Sequence, residues 1–155
     1  MDWKKELIFF DDAWAEVPAK YLFLEVPPQS KQSTRFGRKR AYTDKEKGAY
    51  VAELHLRAKI NYSGPLLKGF VRLTVIYCFP WRKKDKDIRS LVWIPKDSAP
   101  DVDNLTKPVK DALQGVVYAN DSSVVEERAR KVWCGLTGIA IQIEEASRNL
   151  QGFVQ

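Results

Sequence analysis

The stretch "PDVDNLTKPVKDALQGVV", Pro100–Val117, sets two aspartates two residues apart, a lysine four residues after the second, and then an apolar stripe. Leu105, Val109, Ala112 and Leu113 recur at i, i+4, i+7 and i+8, the spacing of one helical face. The pattern predicts a helix over about Asn104–Gln114 that begins near Asp103. Pro108 is tolerated close to a helix start, where the amides have no intrahelical partner. Lys107 then falls on the face turned away from Leu105 and Val109.

Working outward, "FVRLTVIYC" (Phe70–Cys78) alternates Val71, Leu73, Val75 and Tyr77 with Arg72 and Thr74, which predicts a half-buried strand. "YLFLEV" (Tyr21–Val26) reads as a strand stopped by Pro27-Pro28. "ELIFF" (Glu6–Phe10) reads either as a further strand or as an apolar N-terminal arm docked on the domain. Thr43 and Glu46 have capping-box spacing ahead of a helix over about Asp44–Lys59, with Tyr50, Val51, Leu54 and Ala58 on its apolar stripe. "LVWIP" (Leu91–Pro95) is a short strand candidate. Two strands follow the second helix, about Val124–Cys134 and Leu136–Glu144. The order β-α-β-(β)-α-β-β places two helices on a mixed sheet of four or five strands, a two-layer α+β domain.

The 155 residues suffice for one core, and 45% hydrophobic with 30% charged residues is a globular composition. The net charge of +6 favours an acidic partner, nucleic acid first, although it also serves solubility. Cys78 and Cys134 lie far apart with no Cys-x-x-Cys pair, which predicts reduced thiols. One histidine, His55, excludes a His-rich zinc site and reads as structural or solvent-facing. No uncharged apolar run approaches the ~18 residues of a membrane span, and "MDWKKELIFFDD" lacks the features of a secretory leader. The expectation is a cytoplasmic protein with no membrane contact.

In an extended segment Asp101 and Asp103 point the same way. Two carboxylates held close repel, so they need a proton, a cation or a metal between them. Asp121 in "YANDSS" supplies a third acid if its loop folds back. Three such carboxylates would suit Mg²⁺ or Mn²⁺, and sites of that kind hydrolyse phosphodiesters. The same residues also have a structural reading. Asp103 would cap the helix, Lys107 would pair with it, and Asp121 would be a turn residue beside Asn120. That reading leaves Asp101 without a role.

The run "DVDNLTKPVKDALQGVVYANDSSVVEERARK", Asp101–Lys131, resembles the RusA family of Holliday-junction resolvases. The family pattern is D-x-D-N-x-x-K opening a helix, then D-A-L, an apolar stretch, an acidic turn and a Val-rich strand. "EVPPQSKQSTRFGRKRAYT" (Glu25–Thr43) is similar to the family's strand, proline and basic loop, so the likeness covers about Tyr21–Glu144. It implies that Asp101, Asp103 and Asp121 are metal-binding catalytic acids and that Lys107 is the active-site lysine. It further implies a Mg²⁺-dependent endonuclease (Mn²⁺ being the alternative ion) acting on four-way junctions as a homodimer. Where the family often has two acids in the turn, this chain has Asn120-Asp121, so the third ligand rests on Asp121. The implied division is an N-terminal extension over 1–19, the nuclease domain over 20–146 and a tail over 147–155.

Lys31, Arg35, Arg38, Lys39 and Arg40 form a basic cluster in the first loop, and Lys110 on the second helix joins them as a candidate DNA contact. Arg82, Lys83, Lys84, Lys86 and Arg89 form another, diluted by Asp85 and Asp87. Such groups bind phosphates without reading sequence, or are simply solvated loops. The function expected is symmetric paired nicking of Holliday junctions in recombination and repair. The alternatives are a non-catalytic branched-DNA-binding protein and a nuclease acting on other branched nucleic acids.

Overall fold

A computed structural model describes residues 2–7, 18–30, 40–88 and 92–146. It contains α1 (Trp3–Leu7), β1 (Lys20–Leu24), α2 (Arg40–Asn61), β2 (Phe70–Pro80), β3 (Trp93–Pro95), α3 (Val102–Leu113), β4 (Val124–Cys134) and β5 (Gly138–Ala146). The strands form one sheet in the order β1-β5-β2-β4-β3. β2 and β4 run parallel, and every other neighbouring pair is antiparallel. This is the expected two-layer α+β arrangement. A parallel pair cannot be joined by a hairpin, and the chain between β2 and β4 passes through β3 and α3. That crossover lays α3 across the sheet.

The odd positions of β2 face the helices. Leu73, Val75 and Tyr77 share a core with Leu54 and Ala58 of α2, Leu105, Val109 and Leu113 of α3, and Ile139 and Ile141 of β5. The helices are also tied directly, His55 Nδ1 donating to the Ala112 carbonyl at 2.8 Å. A carbonyl only accepts, so Nδ1 carries the proton. His55 is thus structural.

Several expectations need correction. β2 is not half-buried: every residue from Val71 to Cys78 is buried. Its even face is covered too, since Ile76 and Cys78 pack with Leu7, Val132, Cys134 and Ala140. On that face the Arg72 guanidinium meets Glu144 through two 2.9 Å bonds, an arrangement that lets a charged residue occupy a fully covered strand. Glu6 and Leu7 belong to a helix and not to a strand; Leu7 does dock on the domain, while residues 8–10 lie outside the described ones. α2 begins at Arg40, so Thr43 lies within the helix and does not cap it. α3 begins at Val102 with Asp101 in the N-cap position, which puts Asp103 inside the first turn. Pro108 is therefore the seventh helical residue and removes a bond to Asn104, a loss of about 3 kcal/mol in a helix interior. Its ring is buried, as are Leu105 and Val109 of the same helix. Both cysteines are free and buried, as expected for reduced thiols. Among the described residues no helix is long and apolar enough to cross a membrane.

Candidate active site

α3 opens over the C-terminal halves of β2 and β4, where Tyr77 bonds Thr106, and the turn that leads into it is held from below. Lys131 Nζ donates to the carbonyls of Ser98 and Pro100, both at 2.7 Å. Lys96 Nζ donates to Ser98 Oγ at 2.7 Å, and its backbone amide extends the β3–β4 ladder to the Lys131 carbonyl. The Ala99–Pro100 peptide is cis. Lys96 is 7% exposed. Its ammonium lies 4.1 Å from the Trp133 ring centroid and 5.0 Å from that of Phe79. Arg82, bound to Asp85 at 2.8 Å, lies 4.6 Å from the Trp133 ring centroid. Contacts between cations and aromatic faces strengthen to about 2 kcal/mol when desolvated. Burial nevertheless pulls the Lys96 pKa below the ordinary lysine value, with the charges of Lys131 and Arg82 adding to the effect.

Asp101 and Asp103 are both exposed at this mouth. Asp101 makes no side-chain capping bond, and among the described residues neither carboxylate is engaged in a hydrogen bond or ion pair. Acids in the first turn are favoured by the helix dipole. Their oxygens remain available.

The next groups lie along the same helix. Asp103, Lys107 and Asp111 follow at four-residue spacing, on one stripe of α3. Lys107 Nζ bonds Asp111 Oδ1 and Asp121 Oδ2, each at 3.0 Å. The Asp121 carboxylate first, and Asp111 second, raise the Lys107 pKa above its ordinary value. Asp121 is seated in a short 3-10 turn, its amide donating to Gln114 Oε1 at 3.1 Å. Asn120 caps that turn by accepting from the Ser122 amide at 2.9 Å.

The structure therefore brings Lys107 and Asp121 together, with Asp103 one turn before Lys107 on the same stripe of α3. Asp121 shares an ammonium with Asp111, which is eight residues, or about 12 Å of helix rise, beyond Asp103. Among the described residues no group of three or more His, Cys, Asp or Glu side chains is placed to hold a metal ion. The donor chemistry at the mouth does fit a hard divalent cation. Mg²⁺ is commonly held by one or two carboxylates together with substrate phosphates and water, and Asp101 and Asp103 offer two unengaged carboxylates.

Lys110 Nζ meets Glu127 Oε2 at 2.8 Å. Lys31, Arg35, Arg38 and Lys39 lie outside the described residues, as does Arg89; Arg40 is the first residue of α2. Lys83, Lys84 and Lys86 are exposed. Sequence reasoning missed Asp111, although its four-residue spacing from Lys107 was a usable signal. It also missed Lys96 and Lys131, which carried none, because a lysine that grips backbone carbonyls leaves no pattern.

A DxDN…K helix mouth on a five-stranded mixed sheet agrees with what the chain matches. Residues 25–144 match the profile of the RusA endodeoxyribonuclease family. The chain belongs to that family. It is also similar to the uncharacterized protein YqaN of Bacillus subtilis (strain 168), with 36% identity over 66 residues. That match takes in 43% of this chain and 45% of YqaN, so the chain spans less than half the length of this curated relative.

Proposed function

We propose that the chain is a divalent-metal-dependent, structure-selective endodeoxyribonuclease that resolves four-way DNA junctions by paired nicking. The observation that carries this reading is the exposed, unengaged Asp101–Asp103 pair, one turn from Lys107, within the span that matches the family. Asp101 and Asp103 would hold Mg²⁺, or Mn²⁺ in its place. A bound ion would supply an activated water and polarise the phosphodiester. Lys107, kept cationic by Asp111 and Asp121, offsets the charge that develops on the phosphoryl oxygens. Asp121, bonded to Lys107 at 3.0 Å, is either the third carboxylate for the cation or acts through Lys107. Water adds to phosphorus and the P–O3′ bond breaks, giving a 5′-phosphate and a 3′-hydroxyl.

Lys31, Arg35, Arg38, Lys39 and Arg40 provide phosphate contacts that bind without reading sequence. Lys110 adds one when DNA competes with Glu127 for its ammonium. A homodimer matches the two-fold symmetry of the junction and places one site on each of two opposed strands. The test is incubation with a synthetic four-way junction in Mg²⁺ and in EDTA. Paired nicks that need the metal, and that Asp103→Asn abolishes while junction binding persists, are expected. Binding without cleavage in both Mg²⁺ and Mn²⁺ would overturn the enzymatic reading in favour of a branched-DNA-binding protein. Preferential cutting of flaps or hairpins would reassign the substrate.

A further inference from the structure

The groups that hold the turn just before Asp101 are cationic, beside a pair of acids that face solvent. Lys131 spends two of its three donors on the carbonyls of Ser98 and Pro100, two residues apart in one turn. Lys96 fixes the side chain of the same Ser98. Neither lysine is matched by a carboxylate ion pair among the described residues. Lys96 is instead accommodated by Trp133 and Phe79. An acidic partner here would have placed another cation ligand next to Asp101. Backbone carbonyls and aromatic faces hold the lysines without adding one.

We propose that Lys131, seated against Lys96, is a positioning residue for Asp101. By gripping Ser98 and Pro100 it sets the turn from which Asp101 and Asp103 emerge, and so keeps the two carboxylates at a spacing that one cation can share. The inference rests on the nuclease reading above for its consequence in catalysis, and on the geometry alone for the grip itself. Groups that orient ligands in this way typically change activity by about 10–100-fold when removed. Lys131 closes the 31-residue run that carries the family likeness, yet it is remote in sequence from the acids it serves.

The experiment compares the full chain with Lys131→Met and Lys131→Arg. Amide hydrogen exchange of Leu105, whose amide donates to the Asp101 carbonyl at 3.2 Å, followed in metal-free protein, is expected to quicken about tenfold or more in Lys131→Met. It should stay near wild type in Lys131→Arg, which still reaches the carbonyls. Unchanged exchange in β2 and β5 certifies the fold. On a synthetic four-way junction with Mg²⁺, Lys131→Met should lose about 10–100-fold in rate at saturating protein. Its junction Kd should remain near wild type, and Lys131→Arg should recover most of the rate. Unchanged exchange at Leu105 overturns the proposal. So does a defect confined to junction affinity, which would make Lys131 a phosphate contact. If Lys131→Met does not fold, Lys131→Gln gives the same two readouts. A wild-type protein that cuts no branched DNA refutes the nuclease reading, and the exchange data then still decide whether Lys131 holds the turn.

Discussion

Asp121→Asn preserves the size of the side chain and removes its charge. Among the described residues Lys107 would then keep Asp111 Oδ1 as its one anionic contact, where it now has two at 3.0 Å. The Lys107 and Asp121 side chains are 48% and 27% exposed, a range in which an ion pair contributes about 0–1 kcal/mol. Thermal stability should therefore fall by no more than about 2–4 °C. The sign of the pH dependence follows from the raised Lys107 pKa. The pair's contribution is fully present below the ordinary lysine value of 10.5 and is lost as pH rises through the folded value, so the assay range of neutral to mildly alkaline pH leaves it intact. The catalytic effect is larger, because the ammonium recentres on Asp111. A misplacement of about 1 Å can cost on the order of 100-fold in rate. Single-turnover cleavage of a four-way junction, measured across a Mg²⁺ series, reads this out. The expected result is a rate about 100-fold lower at every concentration, with an unchanged half-saturating Mg²⁺. A rate that recovers as Mg²⁺ is raised would assign Asp121 to the cation and refute the positioning role.

Two further outcomes test how the sheet supports this site. Tyr77 OH donates to Thr106 Oγ1 at 2.9 Å, joining β2 to α3 beneath the acids, so Tyr77→Phe should cost about 1 kcal/mol in urea denaturation. Thr106 retains its own bond to the Val102 carbonyl, which keeps the helix start in place and the loss modest. Lys96 has a folded pKa below 10.5, so its charged form opposes folding. Relative to Lys96→Met, the wild-type protein should gain stability as pH rises from the folded pKa towards 10.5 and level off above it, as followed by denaturant titration. A flat difference across that window would remove burial as the cause.

The parts of the molecule that could be read from sequence are those where one periodicity dominates. β4 runs over Val124–Cys134 as expected, and the stripe of Leu105, Val109, Ala112 and Leu113 is the buried face of α3. The start of α3 was misplaced by two residues because Asp101 and Asp103 are both good residues for a helix entrance, and their spacing cannot choose between them. The full burial of β2 escaped because Arg72 and Thr74 look solvent-facing unless Glu144, seventy-two residues away, is known to pair with the guanidinium. The site divides similarly. Asp101, Asp103 and Lys107 sit on one helix, where local spacing gives their relation. Asp121 depends on how a turn folds back, and it returns to α3 at Lys107 and Gln114. Lys131 depends on a carbonyl grip that no residue pattern encodes.

The sheet has short margins. β1 contributes five residues and includes Lys20, while β3 contributes three and finishes at Pro95, which has no amide to donate. Such borders offer a neighbouring strand few bonds and poor registration, the means by which sheets avoid growing from molecule to molecule. Among the described residues, then, the sheet ends where it stands, and a strand from another molecule would find little backbone to extend it.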